Sequence, residues 1–298
     1  MGIYLHVAAR TDTGRVRAKN EDAYLVADLT RGQSSNAAIY AGRFSVGDRG
    51  ALLAVSDGMG GHQAGEVASA LALSSLAQAL SDQGEAGAPS EAVVGAVEHA
   101  HRAVWDEACG LGIEMGATLT AVYVLGATAY VAEVGDSRAY LLRYGTLTQL
   151  TKDQSYVQTL VDEGAVSPEQ ARTLPLRNII LQAMGIQPKV SVALGRLELR
   201  ARDCLLLCSD GLTTEMPDDD IRAGILTSGS LEEAAEFLLA TANDRGGNDN
   251  ATVLLAGVGG GLIPSRASEP VERTYRILET FDPHGASRDA SEALDGRR

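Results

Sequence analysis

The stretch Ala51-Leu52-Leu53-Ala54-Val55-Ser56 runs without a break into Asp57-Gly58-Met59-Gly60-Gly61-His62, and its reading decides the fold. A short run of apolar and small residues ended by Asp-Gly describes a buried strand that stops in a turn. Working outward, Ile3–Ala9 and Glu21–Ala27 read as earlier strands, and residues 28–50, with Gly32, Gly42 and Gly47, as a surface hairpin extension. Downstream, Gly65–Leu80 and Ser90–Ala108 carry apolar residues at helical spacing. Three strand-like runs follow at Ala117–Leu125, Thr128–Val134 and Arg138–Arg143, and their short connections predict an antiparallel meander rather than βαβ units.

Residues 152–185 are more polar and predict two short helices, Tyr156–Glu163 and Pro168–Leu174. Strands return at Lys189–Leu197 and Cys204–Ser209, then helices at Pro217–Leu226 and Leu231–Asp244, and Ala251–Gly257 closes as a strand. Strands in groups and helices in groups predict an α+β layered sandwich. One domain over 1–258 is expected, with 259–298 as a polar, flexible C-terminal tail.

Composition narrows the function. A chain of 298 residues with 45% hydrophobic and 21% charged residues is not a disordered one. Only 4% is aromatic, so Ala, Val and Leu must build the core. Lys plus Arg number 25 against 39 Asp plus Glu, a net charge of −14, which disfavours duplex nucleic acid and anionic membranes as partners. Without an 18-residue apolar stretch or a signal-like start, a cytoplasmic location is expected. Cys204 and Cys208, if on one strand, stand roughly 13 Å apart. That exceeds the roughly 7 Å that a disulfide spans, so reduced thiols are expected.

The chemistry lies in a recurring pattern. Four times an apolar run or a glycine turn delivers an aspartate beside Gly or Asn: Asp57-Gly58, Gly135-Asp136, Asp210-Gly211 and Asp249-Asn250. A fifth acidic cluster, Asn20-Glu21-Asp22, opens the second strand. One such Asp is ordinarily a turn residue. Five clusters at the mouths of buried strands would crowd like charges that cannot all stay ionised without a cation. An oxygen-only set suits Mg²⁺ or Mn²⁺ rather than Zn²⁺. Two such ions about 3.5–4 Å apart can activate a water for phosphate-ester hydrolysis. Arg17, four residues before Glu21, reads either as a surface arginine or as a bidentate phosphate clamp.

Other motifs fail. The third glycine of a dinucleotide loop falls on Gln63, and neither a P-loop nor a G-x-S-x-G elbow occurs. No cysteine has an arginine within the next six residues, as a thiolate phosphatase would need.

Together Arg17-x-x-Asn20-Glu21-Asp22, Asp57-Gly58-Met59-Gly60-Gly61-His62, Gly135-Asp136-Ser137-Arg138, Ser209-Asp210-Gly211-Leu212 and Gly246-Gly247-x-Asp249-Asn250-Ala251-Thr252 occur in order. The set resembles the metal-dependent protein phosphatases, type 2C, in their bacterial form, over roughly residues 3–257. The resemblance implies a four-layer αββα sandwich of two antiparallel sheets flanked by helices, with a flap over about 152–185. It implies that Asp57 bridges two ions. Asp210 and Asp249 would hold the first, Glu21 and the Gly58 carbonyl the second, and Asp22 would bond metal-bound waters. Asp136 with Asp210 matches a candidate third ion site, and Arg17 matches the phosphate-gripping residue.

The implied reaction is direct attack of a metal-bridging hydroxide on phosphoserine or phosphothreonine in proteins, a cognate Ser/Thr kinase among them. His62 reads either as the general acid or as a solvent-facing histidine at a helix start. Two positions depart from the family pattern. Asp153-Gln154-Ser155 stands where Asp-His-Ser is frequent, and Ile180-Leu181-Gln182-Ala183-Met184-Gly185 where Ile-Thr-Arg-Ala-Leu-Gly is frequent. The alternative is a catalytically idle phosphatase-like module that binds phosphoproteins or regulatory partners, which the retained carboxylates argue against.

Overall fold

The computed structural model describes residues 2–60, 64–82, 87–266 and 269–283. Its strands form two antiparallel sheets. One has the order β10 (Thr146–Gln149), β9 (Arg138–Arg143), β12 (Cys204–Cys208), β13 (Ala251–Gly260), β1 (Ile3–Asp12), β4 (Ile39–Ser45). The other runs β14 (Tyr275–Glu279), β11 (Ala193–Glu198), β8 (Thr128–Val134), β7 (Leu119–Leu125), β5 (Ala51–Gly60), β2 (Asp22–Asp28), β3 (Gln33–Ser35), with β6 (Met115–Ala117) paired to the end of β5. Helices α1 (Ala64–Asp82) and α2 (Pro89–Leu111) cover the second sheet, and α5 (Asp210–Glu215), α6 (Asp218–Thr227) and α7 (Leu231–Asp244) cover the first. The flap carries α3 (Tyr156–Asp162) and α4 (Pro168–Ala171). This is the expected αββα sandwich.

The continuous apolar runs have a simple cause: the central strands are buried on both faces. In β5, Ala51, Leu53 and Val55 point between the sheets, while Leu52 and Ala54 meet the helices. In β12, Leu205 and Leu207 face inward, and Cys204, Leu206 and Cys208 face α5–α7. Strand β13 divides the same way, with Leu254, Ala256 and Val258 against the first core and Val253 and Leu255 against the second. With side chains alternating across each strand, removing a leucine from either layer costs about 2–5 kcal/mol. Cys204 and Cys208 are buried free thiols, as expected, and Cys109 is exposed and free.

Two expectations need correction. Residues 28–50 are not merely a surface hairpin: β3 returns on β2, but β4 crosses to the other sheet and forms its edge against β1. Burial alternates along β4 with no fully buried position, so its sequence has no apolar run to announce it. The segment 259–298 is not a tail throughout. Strand β13 continues to Gly260, and β14 adds an edge to β11. Tyr275 Oη donates to the Leu150 carbonyl at 2.6 Å. The Arg143 guanidinium, ion-paired with Asp203 at 2.6 Å where both side chains are 2% exposed or less, also donates to Thr274 Oγ1 at 2.6 Å. These contacts fix the returning chain onto the body.

Candidate active site

The acids come together because strand ends from both sheets open at one end of the sandwich. On β2 and β5, Asp22 lies directly opposite Asp57 in the antiparallel register. Beyond that pair, the Gly58 N–H donates to the Glu21 carbonyl at 3.1 Å. Asp57 is held on its other side too. Its N–H donates to Thr118 Oγ1 at 2.9 Å, and the Thr118 N–H donates to the Asp57 carbonyl at 2.8 Å. Position 58 must be glycine because a Cβ there would collide with the Gly65 carbonyl oxygen at the start of α1.

From the other sheet, β12 ends at Cys208, and Ser209-Asp210 turns the chain into α5. Glycine is required again at 211, where a Cβ would collide with the Asn250 carbonyl oxygen. Asp249-Asn250 precedes β13, and Asn250 ties the region together. Its Oδ1 accepts the Glu21 N–H at 2.8 Å, and its Nδ2 donates to the Thr13 and Lys19 carbonyls at 2.9 and 2.8 Å. Asp136 sits in the turn between β8 and β9.

A cleft of about 250 Å³ is lined by Arg17, Glu21, Asp57, Gly58, Asp136, Asp210 and Asp249, with Asn178 and Ile180 of the flap on its edge. The structure therefore brings together every sequence-predicted acid at this cleft except Asp22, which lies just behind it. Asp22 is buried, with Oδ2 accepting from Ser209 Oγ at 2.6 Å and Thr252 Oγ1 at 2.7 Å. His62 and Gly61 lie outside the described residues.

Electrostatics set this cluster apart from ordinary turns. Burial, then the nearby charges of Asp22, Asp210, Asp136 and Asp249, hold the Asp57 carboxyl well above the usual range. Asp136 is raised well above it by burial and then by Asp210. Asp22 is pushed up to about 7 by burial, against the lowering bonds from Ser209 and Thr252. Burial, then Asp249, pushes Asp210 up to about 6, while a hydrogen bond from Asp57 lowers it. Ionised carboxylates cannot stand so close without a proton or a cation between them.

The donor set fits a hard divalent cation. Every predicted ligand atom is oxygen, and both Asp22 Oδ1 and Asp210 Oδ1 are buried without a hydrogen-bond partner. The cage is not closed: among the described residues no group of three or more His, Cys, Asp or Glu is arrayed to hold an ion as it stands. One cause is visible at Asp249. Its Oδ2 accepts from Arg17 Nη2 at 2.7 Å, and its Oδ1 accepts the Asn250 N–H at 2.8 Å. Arg17 is thus the counter-charge at the cleft mouth, its guanidinium pKa raised chiefly by that hydrogen bond. An ion taking Asp249 would release Arg17 toward the cleft.

A family model described as Protein phosphatase 2C matches residues 30–253. The chain belongs to the protein phosphatase 2C family. It is 42% identical over 258 residues to the serine/threonine protein phosphatase PstP of Mycobacterium tuberculosis, covering 86% of this chain but 45% of that protein. It is 36% identical to the serine/threonine phosphatase Stp of Listeria welshimeri, covering 84% of this chain and 95% of the relative. Against the crystal structure of the M. tuberculosis PstP phosphatase the TM-score is 0.73 at 40% identity, covering 86% of this chain and all of the other. A second structure, the PstP catalytic domain in complex with two manganese ions, gives a TM-score of 0.70 at 38% identity, covering 87% of this chain and 100% of that one.

The two flap departures, Gln154 and Gln182, are in direct contact. Gln182 Nε2 donates to Gln154 Oε1 at 2.7 Å, and Gln154 Oε1 also accepts the Gly135 N–H at 2.7 Å. The buried amide pair anchors the flap root to the loop that carries Asp136. Asp153 is clamped by Arg138 through two bonds of 2.7 Å. Sequence reading missed the supports: Thr118 behind Asp57, Ser209 and Thr252 behind Asp22, and Asn250 behind Glu21. Three of these four sit inside the quoted motifs, and their hydroxyls and amide were the available signal.

Proposed function

We propose that this chain is a divalent-metal-dependent phosphatase that hydrolyses phosphoserine and phosphothreonine in proteins. The observation that carries the reading is the cleft itself. Acids from residues 21 to 249 gather around one opening, where burial and mutual repulsion raise the proton affinities of Asp57, Asp136 and Asp210, Asp210 Oδ1 lacks a partner and an arginine stands at the mouth. Asp57, Asp210 and Asp249 are the proposed ligands of one ion, and Asp57, Glu21 and the Gly58 carbonyl those of a second. Asp136 and Asp210 are the proposed ligands of a third, with Mg²⁺ or Mn²⁺ as the occupant. When bound, such ions supply Lewis acidity and a water of lowered pKa.

The chain's own groups do the rest. Arg17, once released from Asp249, pairs two oxygens of the substrate phosphate and offsets the negative charge that spreads in the transition state. Asp22, held by Ser209 and Thr252, is the proposed acceptor of hydrogen bonds from metal-bound water. Asn178 and Ile180 shape the approach beside the phosphoryl site. His62 is the proposed proton donor to the departing serine or threonine oxygen. A cognate Ser/Thr kinase is the proposed partner and the cytoplasm the proposed location. No described helix is long and apolar enough to cross a membrane.

The test is turnover of p-nitrophenyl phosphate and of a phosphothreonine peptide with Mn²⁺ and with EDTA. Metal-dependent release of phosphate from both supports the proposal. Tight peptide binding without turnover at any pH would instead favour the idle module.

A further inference from the structure

Beside the acid cleft, the flap borders a groove of about 460 Å³. Asp136, Asn178 and Asp210 line both, so the groove opens directly off the cleft. Helices α3 and α4 and the start of α6 form its walls, with Val157, Val161, Pro168, Ala171 and Pro217 as the apolar lining. An apolar cavity of about 150 Å³ takes a benzene ring, so this space admits a large side chain together with the backbone that bears it. Helix α3 shows what the groove lacks. It carries Val157, Leu160 and Val161, yet none of its residues is fully buried. A surface helix ordinarily buries such a stripe against its neighbour.

The charged lining is balanced. Apart from the acid cluster, Arg138, Arg172 and Arg177 stand against Asp153, Glu169 and Asp218. Asp153 accepts two bonds of 2.7 Å from Arg138 and one of 3.1 Å from Gln149. Asp218 accepts from Tyr140 Oη at 3.1 Å, and Arg172 donates to the Thr213 carbonyl at 3.0 Å. A charged side chain of either sign would lose its water and meet like charge along these walls. An apolar one would instead cover Val157 and Val161 and displace water from Pro168, Ala171 and Pro217.

We propose that this groove is a specificity subsite for a large apolar side chain, such as Leu, Ile, Met or Phe, flanking the phosphoserine or phosphothreonine of the substrate. The flanking residue stands within about three positions, a reach of about 10 Å in extended chain. The inference rests on the phosphatase reading, because continuity with the cleft is what brings a neighbouring residue of the substrate here. With the phosphate at Arg17 and the apolar residue between α3 and α6, the substrate chain passes along the flap. Val157 and Val161 then set which phosphoproteins are preferred without touching the reacting phosphate.

The test is a set of phosphothreonine peptides with alanine at every flanking position. A single Leu, Asp or Lys is moved through the three positions on each side, and each peptide is assayed with Mn²⁺. p-Nitrophenyl phosphate, which has no flanking residue, is assayed in parallel. Leucine at one position should raise kcat/KM about tenfold over alanine, mainly through KM, while aspartate and lysine there gain nothing. The ratio of leucine to alanine peptide within each variant is the readout, so a general loss of activity cancels. Val161→Asp should bring that ratio to about one, and Val157→Ala combined with Val161→Ala to about threefold or less. Leucine no better than alanine at every position overturns the proposal. So does a larger gain from aspartate, which would assign the groove to Arg172 and Arg177, or a full leucine preference in a folded Val161→Asp chain. If Val161→Asp does not fold, the double alanine variant decides by the same ratio. If no substrate is turned over, p-nitrophenyl phosphate included, the phosphatase reading fails, and the ranking of peptide Kd values by fluorescence anisotropy decides the groove.

Discussion

Stripping the metal should make the protein less stable as pH rises, and Asp22→Asn should remove much of that dependence. Asp22 is pushed from 3.8 to about 7 in the folded chain, so the native state holds a proton where the unfolded chain has lost it. A proton held more tightly by the native state makes stability fall with pH. The cost is absent below about pH 4, accumulates between about 4 and 7, and is complete above that. At about 1.4 kcal/mol for each tenfold change in proton affinity, it reaches about 4 kcal/mol. Asp210, pushed to about 6, titrates in the same cluster, and its cost overlaps with that of Asp22.

In Asp22→Asn the remaining carbonyl oxygen still accepts from Ser209 and Thr252, but the amide nitrogen takes the place of the orphaned Oδ1. An unsatisfied buried donor costs about 1–3 kcal/mol, leaving a net gain of about 1–3 kcal/mol at pH 8. The assay is urea unfolding with EDTA at pH 5 and pH 8, repeated with Mg²⁺. Wild type should lose stability between the two pH values without metal and regain it at pH 8 with metal, by a margin of roughly 10 °C in thermal melts. The variant should show a shallower loss and a weaker metal response. Metal-free stability that rises from pH 5 to pH 8, or a slope untouched by Asp22→Asn, would refute the reasoning.

Other substitutions probe the supports. Arg17→Ala removes the partner of Asp249, so phosphopeptide turnover should fall about 10–100-fold, the worth of a charge-assisted pair, mainly through KM, while Mn²⁺ affinity measured by calorimetry stays level or tightens. Asn250→Ala removes three hydrogen bonds among Glu21, Thr13 and Lys19 and should cost about 2–3 kcal/mol in urea unfolding, with weakened metal binding because Glu21 loses its anchor. Arg143→Ala leaves Asp203 charged and buried and frees the returning C-terminal segment. It should cost about 3–5 kcal/mol without altering the metal dependence of the remaining turnover.

The layers of the sandwich were legible wherever burial on both faces wrote an unbroken apolar run, as in β5 and β12. They were illegible where an edge strand had little to bury. Strand β4 alternates between half-buried and exposed residues, and β14 leaves Ile277 66% exposed, so both resemble loop or tail in sequence. Helix α5 was hidden for another reason: its first residues are Asp210-Gly211, which read as a turn in isolation. The acids were legible because each stands where a strand or glycine turn stops. Their supports were not, because they act across the chain. Thr118 reaches Asp57 over 61 residues, and Asn250 reaches the Glu21 N–H over 229. No local pattern encodes such distances. The pairing of Gln154 with Gln182, 28 residues apart, has no local signal either, because the two amides meet only in the folded chain.

Whether these gathered carboxylates form a true divalent-ion site is tested most directly by counting Mn²⁺ bound per chain, by calorimetry, in wild type and in Asp57→Asn. The wild-type chain should bind at least two ions. The variant should lose one or both, or bind them about 100-fold more weakly, because Asp57 is the ligand proposed for both ions. A wild-type chain that binds no Mn²⁺, or an Asp57→Asn chain that binds it with unchanged number and affinity, would contradict the account.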